Sequence, residues 1–208
     1  MALRSFAATL LLSPLLLAQD PAGPTIPTLS DANPDIVVLV ARDQWDRGFD
    51  FFGNRQPPPQ DKIDWSQVAP RDDQRREDTR KLLAEGKLQS GKDYRFAALI
   101  LQHSPDTAGY MLAHVLAVTA VSKGEPKARW LVAATLDRYL WSLQQPQVFG
   151  TQFHQTNGVW NQDPYDRSSI ADAVRASSCV ASLADQEQIL KDVRAGKPFR
   201  STNIAECK

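Results

Sequence analysis

His103, His114 and Asp137 are ionisable residues set among apolar ones. Side chains three and four apart share one face of a helix. On that spacing His114 joins Tyr110, Met111, Ala117, Val118 and Val121, Asp137 joins Ala133, Ala134, Leu140 and Trp141, and His103 joins Phe96, Leu99 and Ile100. A buried carboxylate is costly unless paired and hydrogen-bonded. Asp137 therefore needs a donor, which His103, His114, Arg138 or Arg47 can supply. An imidazole tuned by a carboxylate suits general acid–base chemistry near neutral pH. The same groups serve equally well as satisfied polar residues joining three helices. A metal held by His103, His114 and a carboxylate is a third reading. No two histidines stand at a ligand spacing such as that of His-Glu-x-x-His, so no metal or cofactor is expected.

A second polar cluster lies in Gln147-Val148-Phe149-Gly150-Thr151-Gln152. Gly150 permits a turn or a close backbone approach. Gln147, Thr151 and Gln152 beside it can line a ligand pocket, or fold as a loop over a helix end. The segment is no phosphate loop, because the second Gly, the Lys and the following helix are missing. Nor does a Gly-x-Ser-x-Gly elbow occur. Ser104 follows His103 directly, and adjacent residues diverge on a helix, so the two make a poor nucleophile–base pair. Cys179 and Cys207 form an even pair, most simply a disulfide in an oxidising compartment. Closing that loop stabilises by roughly 3–4 kcal/mol in the chain-entropy picture. A catalytic thiol is the alternative, but neither cysteine has a histidine near it in sequence.

These residues must be positioned by helices. The spacing predicts a first helix from Ser30 or Asp31 to about Phe52, ended by Gly53, and then an extended Arg-Gln-Pro-Pro-Pro-Gln segment. A charged helix over 71–85 stops at Gly86, its charges reading as a solvated face anchored by Leu82 and Leu83. Helices follow over 94–103, 107–122 and from Pro126 to about Leu143, with short links that imply antiparallel neighbours. Ala97, Ala98, Ala113, Ala117, Ala120, Ala133 and Ala134 allow them to approach closely. Asn157-Gly158 favours a tight hairpin turn between apolar flanks. Two further helices are expected over about 168–177 and 182–195. The fold class is all-α, with helical-hairpin, tetratricopeptide-like packing and a small irregular or β-hairpin segment near 147–162.

The address is read from the N-terminus. Arg4 precedes an uncharged apolar run from Phe6 to Ala18, the pattern of a secretory signal and too short to span a bilayer of ~30 Å hydrocarbon. Residues 1–18 are thus expected to be removed, 19–30 to be a Pro- and Thr-rich linker, and 31–208 to form a single helical domain. The protein is expected to be exported, to the periplasm or the cell exterior, with no membrane attachment after cleavage. Of 208 residues, 24 are basic and 24 acidic. Only Arg4 is charged within the signal, so no basic excess remains to draw nucleic acid.

Several short motifs in order resemble a known family. They are Asp43-Gln44-Trp45-Asp46-Arg47, Gln102-His103, Ala113-His114-Val115-Leu116-Ala117, Asp137-Arg138-Tyr139-Leu140 and Gln147 to Gln152. Together they look like the bacterial family named domain of unknown function 6624, over about residues 35–178. The resemblance implies a bacterial origin and a shared fold, but no reaction. It adds Asp43, Arg47, Gln102 and Arg138 as candidate ligand-binding residues beside Gln147, Thr151 and Gln152, with His103, His114 and Asp137 as candidate catalytic groups. The Pro-rich insert at 57–59 and the cysteine pair depart from the family pattern. Two functions follow: a polar pocket, serving a hydrolase-like enzyme or a binder of a small molecule, or a helical scaffold that takes a protein or peptide.

Overall fold

The computed structural model describes residues 23–203. Asn33 caps the first helix, α1 (Pro34–Trp45), by accepting from the amides of Asp35 and Ile36, and Pro34 occupies the first turn, where its missing N–H costs nothing. The helix is shorter than its expected span at both ends. It stops because Gly48, at φ 82°, lets the amide of Phe49 return to the carbonyl of Gln44. Gly48, not Gly53, is the terminator.

The charged helix α2 (Trp65–Ala84) begins earlier than expected, capped by Asp64, with Pro70 inside it. Its charged run is not only a solvated face. Asp72, Arg75, Arg76 and Thr79 are buried, on the same side as Val68 and Leu82. The central helix α3 (Gly91–Leu101) starts in a capping box, Ser90 and Asp93 each bonding the other's backbone amide. Asp93 also accepts the amide of Asn33 at 2.7 Å. This bond ties the start of α1 to the start of α3. The two helices run side by side in the same direction, which brings the end of α1 to the end of α3.

Helices α4 (Thr107–Ser122) and α5 (Arg129–Ser142) follow, the second entered through a 3-10 turn at Pro126–Ala128. The alanines of the sequence pattern are fully buried at the contacts of α3, α4 and α5. The core between α1, α3 and α4 is built from Ile36, Val37, Val40, Phe96, Ile100 and Leu116, with Leu82 and Leu131 closing it. A two-stranded antiparallel sheet follows, β1 (His154–Thr156) and β2 (Val159–Asn161). Asn157 and Gly158, at φ 52° and 78°, make its turn, as their types predict. Two short helices, α6 (Asp172–Ser177) and α7 (Leu183–Arg194), come last among the described residues. The described residues are thus mostly helical, with one small sheet. No helix among the described residues is long and apolar enough to cross a membrane.

Candidate functional site

Asp43 lies in the last turn of α1, with no exposed surface. Its Oδ1 accepts from Arg47 at 3.0 Å and its Oδ2 from the side-chain amide of Gln44 at 2.7 Å. Arg47 also grips Asp72 of α2 with both terminal nitrogens. Arg75 bonds Asp72 and reaches Asp46 at 2.8 Å. Asp43, Asp46 and Asp72, interleaved with Arg47 and Arg75, thereby fasten α2 to the end of α1. Burial pushes Asp43 up to about 6 despite the nearby Arg47 and Arg75. Asp72 moves the other way: burial opposes its charge, but the hydrogen bonds from Arg47 and Arg75 outweigh it. Of this network, only Asp43 and Arg47 are candidates from sequence. The signal for the rest is the spacing of Asp72, Arg75, Arg76, Thr79 and Leu82, one helix face that continues into an apolar anchor.

His103 sits just beyond α3, on a turn whose amide returns to Ile100, rather than within the helix as expected. Arg76 fixes this turn by donating to the carbonyl of His103 at 2.9 Å. The imidazole Nε2 stands 3.9 Å from Oδ2 of Asp43, too far for a hydrogen bond, and it is buried with no partner among the described residues. Burial, and then Arg47, Arg138, Arg75 and Arg76, hold the imidazole well below its usual range, so it is neutral. The carboxylate beside His103 is therefore Asp43 of α1, not Asp137.

His103 opens onto a cavity of about 600 Å³ between α1, α3, α5 and the segment near 201–203. Gln102 and Arg138 share its wall. Nε of Arg138 is buried without a partner, and neither this guanidinium nor the Gln102 side-chain amide bonds a described residue. Burial pulls Arg138 down from its usual range. Trp130, Leu99 and Phe51 give the cavity an apolar side, and Arg95 and Lys127 add positive charge. Arg95 lies over the rings of Phe51 and Phe96. Asp50 also borders the cavity, but both its oxygens already accept, from Thr25 and from the amide of Arg55. The C-terminal segment is held by Thr202, whose hydroxyl accepts from Trp130 and whose carbonyl accepts from Ala181.

Among the described residues Asp137 meets no imidazole or guanidinium. Fully buried on α5, it accepts the amides of Val148, Phe149 and Thr151 and the hydroxyl of Thr151, all within 3.0 Å. Burial raises it, and these bonds oppose the rise. Gln147 and Gln152 close on each other: the Gln152 backbone amide donates to Oε1 of Gln147, and Nε2 of Gln147 donates to the Gln152 carbonyl. Gln147 also bonds the Gln162 carbonyl, and Gln152 bonds Ala134 and Thr151. Gly150, at φ 77°, lies so close to Gln186 and Tyr165 that a Cβ would meet them at 2.2 and 2.5 Å. This loop is a closed buried network docked on α5. His114 is bonded through Nδ1 to the carbonyl of Val132 at 3.1 Å, and its face is not wholly buried, since Val118 is 45% exposed. His103, His114 and Asp137 thus belong to three separate environments. Cys179 is buried at φ 61°, and Cys207 lies outside the described residues. The expected signal at 1–18 also lies outside them. Among the described residues no group of three or more His, Cys, Asp or Glu is placed to hold a metal ion.

No curated protein and no solved structure matches the chain. A family model described as a family of unknown function, DUF6624, matches residues 48–197. The match contains Gln102, His103 and Arg138 and begins just after Asp43 and Arg47. Most of the chain falls within this match, and the protein belongs to the DUF6624 family.

Proposed function

We propose that the protein binds a small organic anion in the cavity beside His103. The carrying observation is Arg138, a guanidinium whose Nε is buried with no partner among the described residues, on the wall of a cavity of about 600 Å³. A buried donor left unpaired is expensive, and a charged one more so. An anionic oxygen at that point satisfies it, and Gln102 and His103 on the same wall keep donor and acceptor capacity to spare. The apolar side made by Trp130 and Leu99 favours a ligand with a hydrocarbon or aromatic body. The Asp43–His103 pair would then stand beside the bound molecule, ready for proton transfer in a hydrolase-like reaction.

The address and the staple belong to the same reading. Residues 1–18 act as an export signal, and Cys179 pairs with Cys207, fastening the segment whose Ser201 and Asn203 border the cavity. A thermal-shift screen of carboxylates and phosphate esters tests the binding reading. Stabilisation by one chemical class, lost in Arg138→Gln, is expected. No response from any anion would overturn it.

A second reading is favoured by a different feature. Val115 and Val118 are 49% and 45% exposed, one turn apart on α4. An exposed apolar stripe on a tetratricopeptide-like hairpin suits a scaffold that takes a peptide. On that reading the stripe binds, and the cavity has no ligand.

A further inference from the structure

The atoms left unpaired at the cavity wall bear on how an anion enters it. His103 Nε2 has no hydrogen-bond partner among the described residues, and the nearest carboxylate oxygen, Oδ2 of Asp43, is 3.9 Å away. The imidazole is faced by charge from three helices and their ends. Asp43 and Arg47 come from the end of α1, Arg75 and Arg76 from α2, and Arg138 from α5. Tyr110 of α4 also acts electrostatically on Arg138. Arg47 and Arg75 are already matched, by Asp72 together with Asp43 or Asp46. Arg76 is matched by Asp73. Of these four cations Arg138 is the unmatched one, and it borders the same cavity as His103.

We propose that the site is proton-coupled: an organic anion docks on Arg138 together with one proton taken from solvent, which comes to rest on the His103 imidazole. The inference rests on the anion-binding reading above and deepens it. Docking neutralises the one of these four cations that has no carboxylate partner among the described residues. The protonated ring then donates from Nε2 into the space between the ligand and Asp43. In the free protein the same ring is kept neutral by burial and the surrounding guanidiniums. The ligand is thus an anion of a weak acid with an apolar body, and the protein takes it up as anion plus proton. By linkage, a ligand that brings one proton binds more tightly as pH falls. The slope approaches about tenfold in affinity per pH unit inside the coupled window.

The probe is benzoate, whose carboxylate suits Arg138 and whose ring suits the face of Trp130. The full chain is titrated by calorimetry at several pH values above 5.5, in buffers of different ionisation enthalpy, while the His103 ring resonances are followed by NMR. With only three histidines in the chain, the assignment is direct. The expected result is saturable binding that weakens with rising pH, net proton uptake, and ring shifts of His103 towards the imidazolium form on binding. His103→Gln should still bind benzoate, but with uptake and pH slope reduced. Should that variant fail to fold, the wild-type ring shift decides alone. Proton uptake without a His103 shift would place the proton on Asp43 and overturn the proposal. Binding with no uptake and no pH slope would overturn it while leaving the anion site intact. Absence of binding, with no difference between wild type and Arg138→Gln, would overturn the anion site and this inference with it.

Discussion

Replacing Asp43 by asparagine should make the protein more stable at neutral pH, although it removes a carboxylate that is bonded to an arginine. The carboxylate has no exposed surface, and burial raises it from 3.8 to about 6. A tenfold change in proton affinity between the unfolded and folded chain is worth about 1.4 kcal/mol, so the ionised form costs the fold up to ~3 kcal/mol. The sign follows from proton counts. Between about pH 4 and 6 the folded chain holds a proton that the unfolded chain has lost, so stability falls as pH rises through that window. Above it the cost is complete. Asparagine resembles the protonated form: its oxygen still accepts from Arg47, and the Gln44 amide can turn to accept from its nitrogen. Arg47 is not stranded, because Asp72 and the carbonyl of Asp43 hold it. Urea melts of both proteins from pH 4 to 8 should show curves that meet near pH 4. They should then separate, with the variant ahead by up to ~3 kcal/mol at pH 7. A variant less stable than wild type by ~1 kcal/mol or more at pH 7 would mean that the Arg47 pairing outweighs burial. Asp43 could then no longer be regarded as a costly group retained beside His103.

Other outcomes follow from the same contacts. Asp137→Ala strands three amides and a hydroxyl in the core and should cost about 3–5 kcal/mol, read as a large fall in melting temperature; melting like wild type would contradict its role as the anchor of the loop. Gly150→Ala should destabilise by at least ~1–3 kcal/mol, since a Cβ would collide with Gln186 and Tyr165 at a positive φ, and a neutral effect in a denaturant melt would refute that packing. If Cys179 and Cys207 pair as proposed, the oxidised protein should weigh less than its reduced form by two hydrogens, and Cys207→Ser should lower stability by roughly 2–4 kcal/mol; two thiols that alkylate freely in the native protein would exclude the pairing.

The legible parts of the fold are those governed by local chemistry. Helix α4 spans the expected 107–122, capped by Asp106 and followed by Gly124 at φ 83°, and Asn157-Gly158 turns the hairpin. The first helix ends sooner than its sequence suggests. Gly53 looks like the stop, whereas Gly48 is reached first and already permits the turn. Helix α2 reads as solvated because Arg and Asp are usually exposed. Their burial becomes tolerable through partners on α1 and, for Arg76, on the turn after α3, which local spacing cannot reveal. The same holds for the site. His103 stands out by its apolar neighbours, but its carboxylate lies far back in the chain on α1 and approaches it because α1 packs beside α3, the two tied at their starts by Asp93. Asp137 needs donors, as its apolar face requires, and the backbone of the Gln147–Gln152 loop supplies them, a source that an inventory of side chains omits.

The central claim is that Arg138 holds an anion in the cavity beside His103. The most direct measurement is a crystal structure of the protein grown with benzoate. The carboxylate is expected within hydrogen-bond distance of the Arg138 guanidinium and of Gln102 or His103, with the ring against Trp130. A structure with benzoate bound only elsewhere, or with Arg138 paired to a carboxylate of the protein's own chain and the cavity closed, would contradict it.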